Sequence, residues 1–410
     1  MWDRKFIPFH RPSIGEEEIT EVVETLRSGW LTTGERTARF EQQFQNYIGA
    51  RHALAVNSCT AGLHLALAAL GIGAGDEVIT TPLTFCATIN AILHVGAEPV
   101  LADVLPDGNI DPESIAQRIT PRTRGILPVH LGGLPCRMDQ IYQLARRHNL
   151  VVIEDAAHAT ESRFGKQAPG AESPAGSSDA AAFSFYATKN MTTAEGGMVV
   201  TNRPEVADRM RVLCLHGISK DAWNRYSEKG NWYYEVLEPG FKYNLSDVQS
   251  AIGIHQLAKV ERFHALRAAY SGIYSRRLAD CEEVETPPDC SYGRHAWHLY
   301  TLRLRPETLT IGRDEFIVEL RNRGVGTSVH FIPIPLHPFF RSRAELPQNQ
   351  CPAAMALYPR LISLPLYPGM SIDQVIHVAD SVKEIAAAKS RRRTVAAGAL
   401  DTTQANHGIQ

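Results

Sequence analysis

The sequence carries no excess of charge of either sign. Its 410 residues include 42 Lys and Arg against 44 Asp and Glu, which gives a formal net charge of −2. Nucleic-acid-binding proteins normally carry a basic excess. The longest apolar stretch, residues 61–75, is interrupted by His64 and falls short of the roughly 18–20 residues that span a bilayer. We therefore expect neither a nucleic acid nor a membrane as a partner.

The sequence also lacks the cysteine spacing of a disulfide framework or a zinc site. Its seven cysteines are dispersed, and no CxxC pair occurs. The N-terminal residues MWDRKFIPFHRP contain no apolar core of a secretory signal. Scattered thiols in odd number, without such a signal, are typical of a protein in a reducing compartment. The sequence therefore predicts reduced thiols, no metal site and a cytoplasmic location.

Short apolar runs alternate with helical patterns through the first half of the chain. The strand-like runs cover residues 53–56, 77–80, 99–104, 125–129 and 150–153. Apolar runs separated by helices of about 10–15 residues are typical of βαβ units, in which a mostly parallel sheet lies between helices. The sequence therefore predicts an α/β fold whose sheet is covered on both faces.

The pattern changes in the second half. Residues 183–185 and 196–201 are too close for a helical crossover, so we expect them to form adjacent antiparallel strands. A long helix is predicted over residues 246–263. We expect a large domain over residues 1–255 and a smaller α+β domain over 256–388, which includes a strand at 327–331. Residues 389–410 lack apolar periodicity and are predicted to form a disordered tail.

Four polar clusters follow predicted strands, at residues 57–60, 82–85, 154–158 and 184–189. In a parallel α/β sheet, ligands bind beyond the carboxyl ends of the strands. In the first cluster, the amides of Thr60 and Ala61 would lie at a helix N-terminus, where free N–H groups and the helix dipole favour a phosphate. The alternative is that Ser58 or Thr60 only caps the helix.

Asp155 ends an apolar strand, where a partly desolvated carboxylate needs a charged partner. One such partner is the protonated ring nitrogen of a cofactor. Two alternatives are a carboxylate that caps the next turn, and half of a metal site with His158. No further cluster of metal ligands accompanies these two residues, which disfavours a metal.

Lys189 lies in a hydroxyl-rich loop after an aromatic strand, 34 positions beyond Asp155. A single lysine is usually a solvated surface residue. Taken together, however, the clusters supply what pyridoxal phosphate (PLP) requires. Lys189 would form an imine with its aldehyde, Asp155 would pair with its ring nitrogen, and the helix N-terminus would hold its phosphate. An aromatic residue such as Phe85 would cover the ring.

Several motifs, in the same order, carry a resemblance to a known family. They are SGWLTTG (28–34), NSCTA (57–61), EDAAHA (154–159), FSF (183–185), TKN (188–190), EGG (195–197), KYNLSD (242–247), HAWHL (295–299) and GTSVHF (326–331). With them the chain resembles the DegT/DnrJ/StrS-type sugar aminotransferases over about residues 5–385. The resemblance implies a fold-type-I PLP aminotransferase, with a large sheet domain and a smaller C-terminal domain.

The resemblance also implies roles for individual residues. Lys189 would form the internal aldimine, Asp155 would pair with the ring nitrogen, and His158 would lie beside the ring or its hydroxyl. The residues that would hold the phosphate or cover the ring are Thr60, Ala61, Ser184 and Phe85. Asn244 would reach the phosphate of the neighbouring subunit, which implies a homodimer with shared active sites.

The activity implied is transfer of an amino group, with glutamate as donor, to a nucleotide-linked keto sugar, at C4 in preference to C3. Trp30, Thr33 and His330 are the candidates for contact with the sugar nucleotide. Tyr186 stands where relatives often have histidine, which alters the substrate side of the pocket. The alternatives are a PLP-dependent sugar dehydratase, which the presence of Lys189 disfavours because such relatives carry histidine there, and a non-catalytic PLP-binding regulator.

Overall fold

The computed structural model describes residues 6–172, 176–219, 233–343, 346 and 348–391. The helices within these ranges are α1 (Glu16–Ser28), α2 (Glu35–Ile48), α3 (Cys59–Ala69), α4 (Cys86–His94), α5 (Pro112–Arg118), α6 (Met138–His148), α7 (Pro204–Cys214), α8 (Asp247–Leu278), α9 (Arg313–Asn322), α10 (Pro338–Arg341), α11 (Pro352–Leu357) and α12 (Ile372–Ala388). None of these helices is both long and apolar enough to cross a bilayer.

The strands form a large sheet and two small ones. They are β1 (His52–Val56), β2 (Glu77–Thr80), β3 (Glu98–Leu101), β4 (Thr123–Leu127), β5 (Val151–Asp155), β6 (Arg163–Phe164), β7 (Ala180–Ser184), β8 (Gly197–Thr201), β9 (Val284–Glu285), β10 (Gly293–Arg294), β11 (Tyr300–Leu304) and β12 (Leu361–Leu364). The large sheet has seven strands in the order β1-β8-β7-β5-β4-β2-β3.

Five strands of the large sheet, from β7 to β3, are mutually parallel, and β8 is antiparallel to both of its neighbours. The predicted α/β fold is confirmed. The predicted antiparallel pair is confirmed too, with Phe183 opposite Met198 and Ser184 opposite Gly197. All five residues of β7 and of β8 are buried, because helices cover both faces of the sheet.

Gly197 allows three elements to meet at one end of this sheet. A Cβ at this position would lie 2.7 Å from the amide nitrogen of Cys59 and 2.7 Å from the carbonyl oxygen of Phe183. Any larger residue would therefore push the end of β7 and the start of α3 away from β8. The absence of a side chain brings Ser184 and the N-terminus of α3 together, and both contribute to the candidate site.

The second core surrounds the antiparallel sheet β12-β11-β9, which packs against α8, α9 and α12. The helix predicted to end at residue 263 continues to Leu278, because Tyr270, Tyr274 and Leu278 keep the apolar spacing and enter this core. The boundary predicted between residues 255 and 256 thus falls inside one continuous helix. Ile7 also belongs to this core, although it lies far from it in sequence.

The structure differs from two further predictions. Residues 327–331 form no strand, and Ser328 makes only a single bridge, to Ser363. The chain turns instead, so that both His330 and Phe331 face a cavity. Lys389 and Ser390, the first residues of the predicted tail, pair with the backbone of Leu309 and Thr310. Residues 392–410 lie outside the described residues.

Candidate active site

A cavity of about 520 Å³ lies beyond the carboxyl ends of the parallel strands. Predicted site residues from four loops and from the C-terminal part of the chain line it together: Thr60, Phe85, Asp155, His158, Ser184, Lys189 and His330. This convergence follows from the topology, because the carboxyl ends of adjacent parallel strands lie at the same edge of the sheet. Ala61, Trp30, Thr33 and Asn244 are absent from the lining.

The N-terminus of α3 forms one wall of the cavity. Ser58 caps this helix, because its hydroxyl accepts the N–H of Ala61 at 3.1 Å. The capping alternative is thus correct for Ser58, but it uses only one of the first-turn amides. The amides of Cys59 and Thr60 have no intrahelical acceptor, as helix geometry dictates. With the hydroxyls of Thr60 and Ser184, they form a set of donors suited to a phosphate.

Asp155 is the last residue of β5 and is only 5% exposed. The hydroxyl of Thr88 donates to one carboxylate oxygen at 2.8 Å, and the N–H of Ala157 donates to the other at 3.1 Å. Burial raises the pKa of Asp155, although these two hydrogen bonds oppose the rise. A buried carboxylate that faces a cavity is stabilised by a cationic partner, which the protonated nitrogen of a pyridine ring would supply.

Lys189 lies in the turn after β7, where its N–H donates to the carbonyl of Tyr186 at 2.9 Å. Burial lowers the pKa of its amine from the ordinary 10.5 to about 8, and the charge of Asp155 opposes this effect. The lowered pKa gives the amine a substantial neutral fraction near pH 8, and only the neutral amine is a nucleophile or a base.

Three histidines line the cavity, and burial lowers the pKa of each. Nδ1 of His158 accepts the backbone N–H of Gly132 at 3.2 Å. The proton of this neutral ring is therefore on Nε2, which can donate to a ligand oxygen. Nδ1 of His330 is hydrogen-bonded to the hydroxyl oxygen of Ser363 at 2.8 Å. Burial lowers the pKa of His330 to about 4. His298 was not predicted as a site residue.

The remaining predicted residues lie together outside the cavity lining. The side-chain amide of Asn244 donates to the Thr33 hydroxyl at 2.7 Å, and the indole N–H of Trp30 donates to the Thr33 carbonyl at 3.1 Å. Trp30 is 41% exposed. Asn244 is also joined to the site by backbone pairing, because it forms a bridge with Val56 at the end of β1. These residues thus lie close to the end of β1, outside the cavity lining.

Sequence reasoning missed several residues that the fold brings to the site. The hydroxyl of Thr88 donates to Asp155. Thr88 lies on α4, four residues after Thr84, whose hydroxyl it contacts. Phe331 stacks on His158 with ring centroids 5.8 Å apart. A signal was present for His298 and Phe331, because both belong to motifs that carried the family resemblance. No comparable signal marked Thr88, because threonine hydroxyls are common in buried helices.

The described residues fit PLP at each of its reactive or charged groups. Lys189 is available to the aldehyde, Asp155 to the ring nitrogen, and the first turn of α3 with Ser184 to the phosphate. Phe85 lies at the cavity, 60% exposed, with an open ring face. The fold and the site therefore define a PLP enzyme of the fold-type-I aminotransferase class. The chain belongs to the DegT/DnrJ/EryC1/StrS aminotransferase family, which matches residues 12–383.

Comparison with known proteins agrees with this assignment. The spore coat polysaccharide biosynthesis protein SpsC of Bacillus subtilis (strain 168) is 48% identical over 382 residues, which cover 93% of this chain and 97% of SpsC. The putative sugar aminotransferase Spr1654 of Streptococcus pneumoniae, in its PMP-form, is 32% identical with a TM-score of 0.85, and the match covers 93% of this chain and 99% of that one. Its structure is also known in a PLP-form.

A third relative is DesI, whose structure was analysed in the presence of its TDP-sugar product. It is 30% identical with a TM-score of 0.83, and the match covers 97% of this chain and 96% of DesI. The predicted family and the predicted cofactor are thus confirmed. The roles of the individual site residues stay predictions, supported by the geometry above.

The pKa of Lys189 predicts how cofactor loading depends on pH. With a pKa of about 8, the neutral fraction of the amine rises about tenfold between pH 7 and pH 9 and then levels off. The rate at which PLP attaches to the cofactor-free protein, followed by absorbance, should rise in the same way. Nα-acetyl-lysine is the control, because its amine has the ordinary lysine pKa of about 10.4 and its rate should therefore still rise steeply above pH 9. A rate that still climbs steeply up to pH 10 would mean that the amine keeps its ordinary pKa.

Proposed function

We propose that the protein transfers an amino group from glutamate to a nucleotide-linked keto sugar. The observation that carries this proposal is the presence of Lys189, with a pKa of about 8, and the buried Asp155 in one cavity of a chain that belongs to this aminotransferase family. Solved relatives of the chain include proteins described as sugar aminotransferases. The sugar dehydratase alternative is disfavoured because the amine that serves as the base in amino transfer is present.

Each site residue has a task in this reaction. When bound, PLP withdraws electrons from the carbon that carries the amino group, which makes the proton on that carbon acidic. Lys189 would take up this proton and give it back, once an incoming amine has freed its nitrogen. Asp155 would pair with the ring nitrogen and keep it protonated, and the Nε2–H of His158 would donate to the ring hydroxyl or a nearby oxygen. The same residues act in reverse order with the keto sugar.

A nucleotide-linked sugar is supported by the relatives and by the site. DesI was studied with a TDP-sugar product, and SpsC acts in spore coat polysaccharide biosynthesis. The cavity has room for a sugar ring beside the cofactor, and three histidines offer it hydrogen-bonding nitrogens. The stretches GW (29–30) and PGFKYN (239–244) resemble those of the aminotransferase that makes UDP-4-amino-4-deoxy-L-arabinose, which favours C4 as the position of the ketone.

We further propose a cytoplasmic homodimer with shared active sites. All seven cysteines are free thiols, as expected in a reducing compartment. Trp30, Phe85 and Tyr186 are exposed aromatic residues near the mouth of the cavity or beside Asn244. Exposed apolar groups around one opening are typical of a surface that another subunit covers. In such a dimer, Asn244 would reach the phosphate in the neighbouring site.

The proposal predicts a specific product. The PLP-loaded protein, incubated with glutamate and a panel of UDP-, GDP- and dTDP-linked keto sugars, should release 2-oxoglutarate and convert one panel member to its amino sugar, as detected by mass spectrometry. Omission of glutamate is the control. A sugar that loses water without gaining nitrogen would support the dehydratase. Absence of both 2-oxoglutarate and amino sugar would support the non-catalytic regulator.

A further inference from the structure

His298 lines the cavity and is 6% exposed, and its hydrogen bonds fix which ring nitrogen carries the proton. Its Nδ1 lies 3.0 Å from Oδ1 of Asn190. The amide nitrogen of Asn190 donates to a carboxylate oxygen of Glu161 at 2.7 Å and to the carbonyl of Ala296 at 3.1 Å. Because both of these partners accept, Oδ1 of Asn190 is the acceptor toward His298. The proton of His298 is therefore on Nδ1, and its Nε2 carries a lone pair.

His158 has the opposite arrangement. Its Nδ1 accepts a backbone N–H, so its Nε2 carries the proton. The two rings lie against each other, with centroids 4.3 Å apart, and burial keeps the pKa of both well below the ordinary value. Neither Nε2 has a hydrogen-bond partner among the described residues. The pair of tilted rings thus offers one donor, from His158, and one acceptor, from His298.

The orientation of the His298 ring is set by a residue next to Lys189 in the chain. Asn190 directly follows Lys189 in the chain, and Glu161 is fully buried. A buried carboxylate needs hydrogen-bond donors, and Asn190 donates to Oε2 of Glu161, whereas Oε1 has no partner among the described residues. The chain of contacts from Glu161 through Asn190 to His298 leaves the histidine no alternative partner for Nδ1. The acceptor on Nε2 is therefore a fixed property of the site.

We propose that Nε2 of His298 accepts a hydrogen bond from a hydroxyl of the sugar and so selects the second substrate. This inference rests on the proposed function. Glutamate brings two carboxylates, which are acceptors and do not pair with a neutral acceptor nitrogen, and its amino group is taken up in the reaction. A keto sugar carries hydroxyl groups beside its ketone, and such a hydroxyl can donate to Nε2 of His298. His298 therefore acts in the sugar half of the reaction.

The test measures the two half-reactions separately in His298→Asn. The asparagine amide can keep the donor toward Asn190, but it removes the acceptor at the position of Nε2. We expect the reaction with glutamate, followed by the absorbance of the cofactor, to stay within about twofold of wild type. We expect kcat/KM for the panel sugar that wild type aminates fastest to fall about 10- to 50-fold, since a buried hydroxyl would be left without its acceptor. Calorimetry should show a similar loss in affinity for the amino sugar product.

Two further variants make the result specific. His298→Gln places an oxygen near the position of Nε2 and should recover part of the sugar reaction. His295→Asn is the matched control, because His295 is buried in the same segment but stacks on Trp297, outside the cavity lining. Equal losses in both half-reactions, or unchanged kcat/KM for the sugar, would overturn the inference and leave the proposed function intact. A wild type that aminates no panel sugar would overturn both.

Discussion

Replacement of Lys189 with alanine is expected to lower the rate of amino transfer by about 10⁴-fold or more. The change removes the amine that we propose to hold the cofactor covalently and to act as the base in amino transfer. A positioned acid–base group alone contributes about 10²–10⁴-fold, and loss of the covalent attachment adds to that effect. The measurement is single-turnover conversion of glutamate to 2-oxoglutarate with excess PLP.

Lys166→Ala is the matched control, because Lys166 is an exposed lysine in a loop away from the cavity. It should react like wild type. Borohydride treatment of the PLP-loaded wild type should leave a pyridoxyl group on the peptide that contains Lys189, and the Lys189→Ala protein should lack it. A tag on another lysine, or a variant that retains more than a tenth of the wild-type rate, would contradict the role of Lys189.

The positions of the reactive groups could be predicted because they follow from chain direction. Asp155 and Ser184 end parallel neighbours, β5 and β7, so both must lie at the same edge of the sheet. The short connection between residues 185 and 196 allows only an antiparallel return, which places Lys189 in the turn at this edge. Periodicity and loop length determine these features, and both are visible in the sequence.

The contacts that tune these groups could not be predicted in the same way. The hydroxyl of Thr88 reaches Asp155 across 67 positions, and the bond between Asn190 and His298 joins residues 108 positions apart. Such pairs depend on how helices and loops pack, and packing has no periodic signal. The division into domains stays a prediction for a related reason. Helix α8 supplies apolar residues to two cores in succession, and its sequence does not show where one core ends.

The two central charges depend on each other in the cofactor-free site. Burial favours the neutral form of both groups, which lowers the pKa of Lys189 and raises the pKa of Asp155. The attraction between the two charges opposes both shifts. In the proposed cofactor complex, the lysine nitrogen would be bound to PLP, and Asp155 would gain a different cationic partner in the protonated ring nitrogen. The free energy of cofactor binding would therefore include the contribution of a buried ion pair. Replacement of Asp155 should accordingly weaken PLP binding.

Asp155→Asn is accordingly expected to weaken PLP binding roughly 10²- to 5 × 10³-fold, because loss of one partner from a buried ion pair costs about 3–5 kcal/mol. Thr88→Val, which removes only the hydrogen bond to the carboxylate, should weaken binding about tenfold. Absorbance titration of the cofactor-free proteins with PLP gives both values. Asp179→Asn is the matched control, since Asp179 accepts the N–H of Val152 in the same strand, away from the cavity. If Asp155→Asn binds PLP as tightly as this control, the ring nitrogen has another partner.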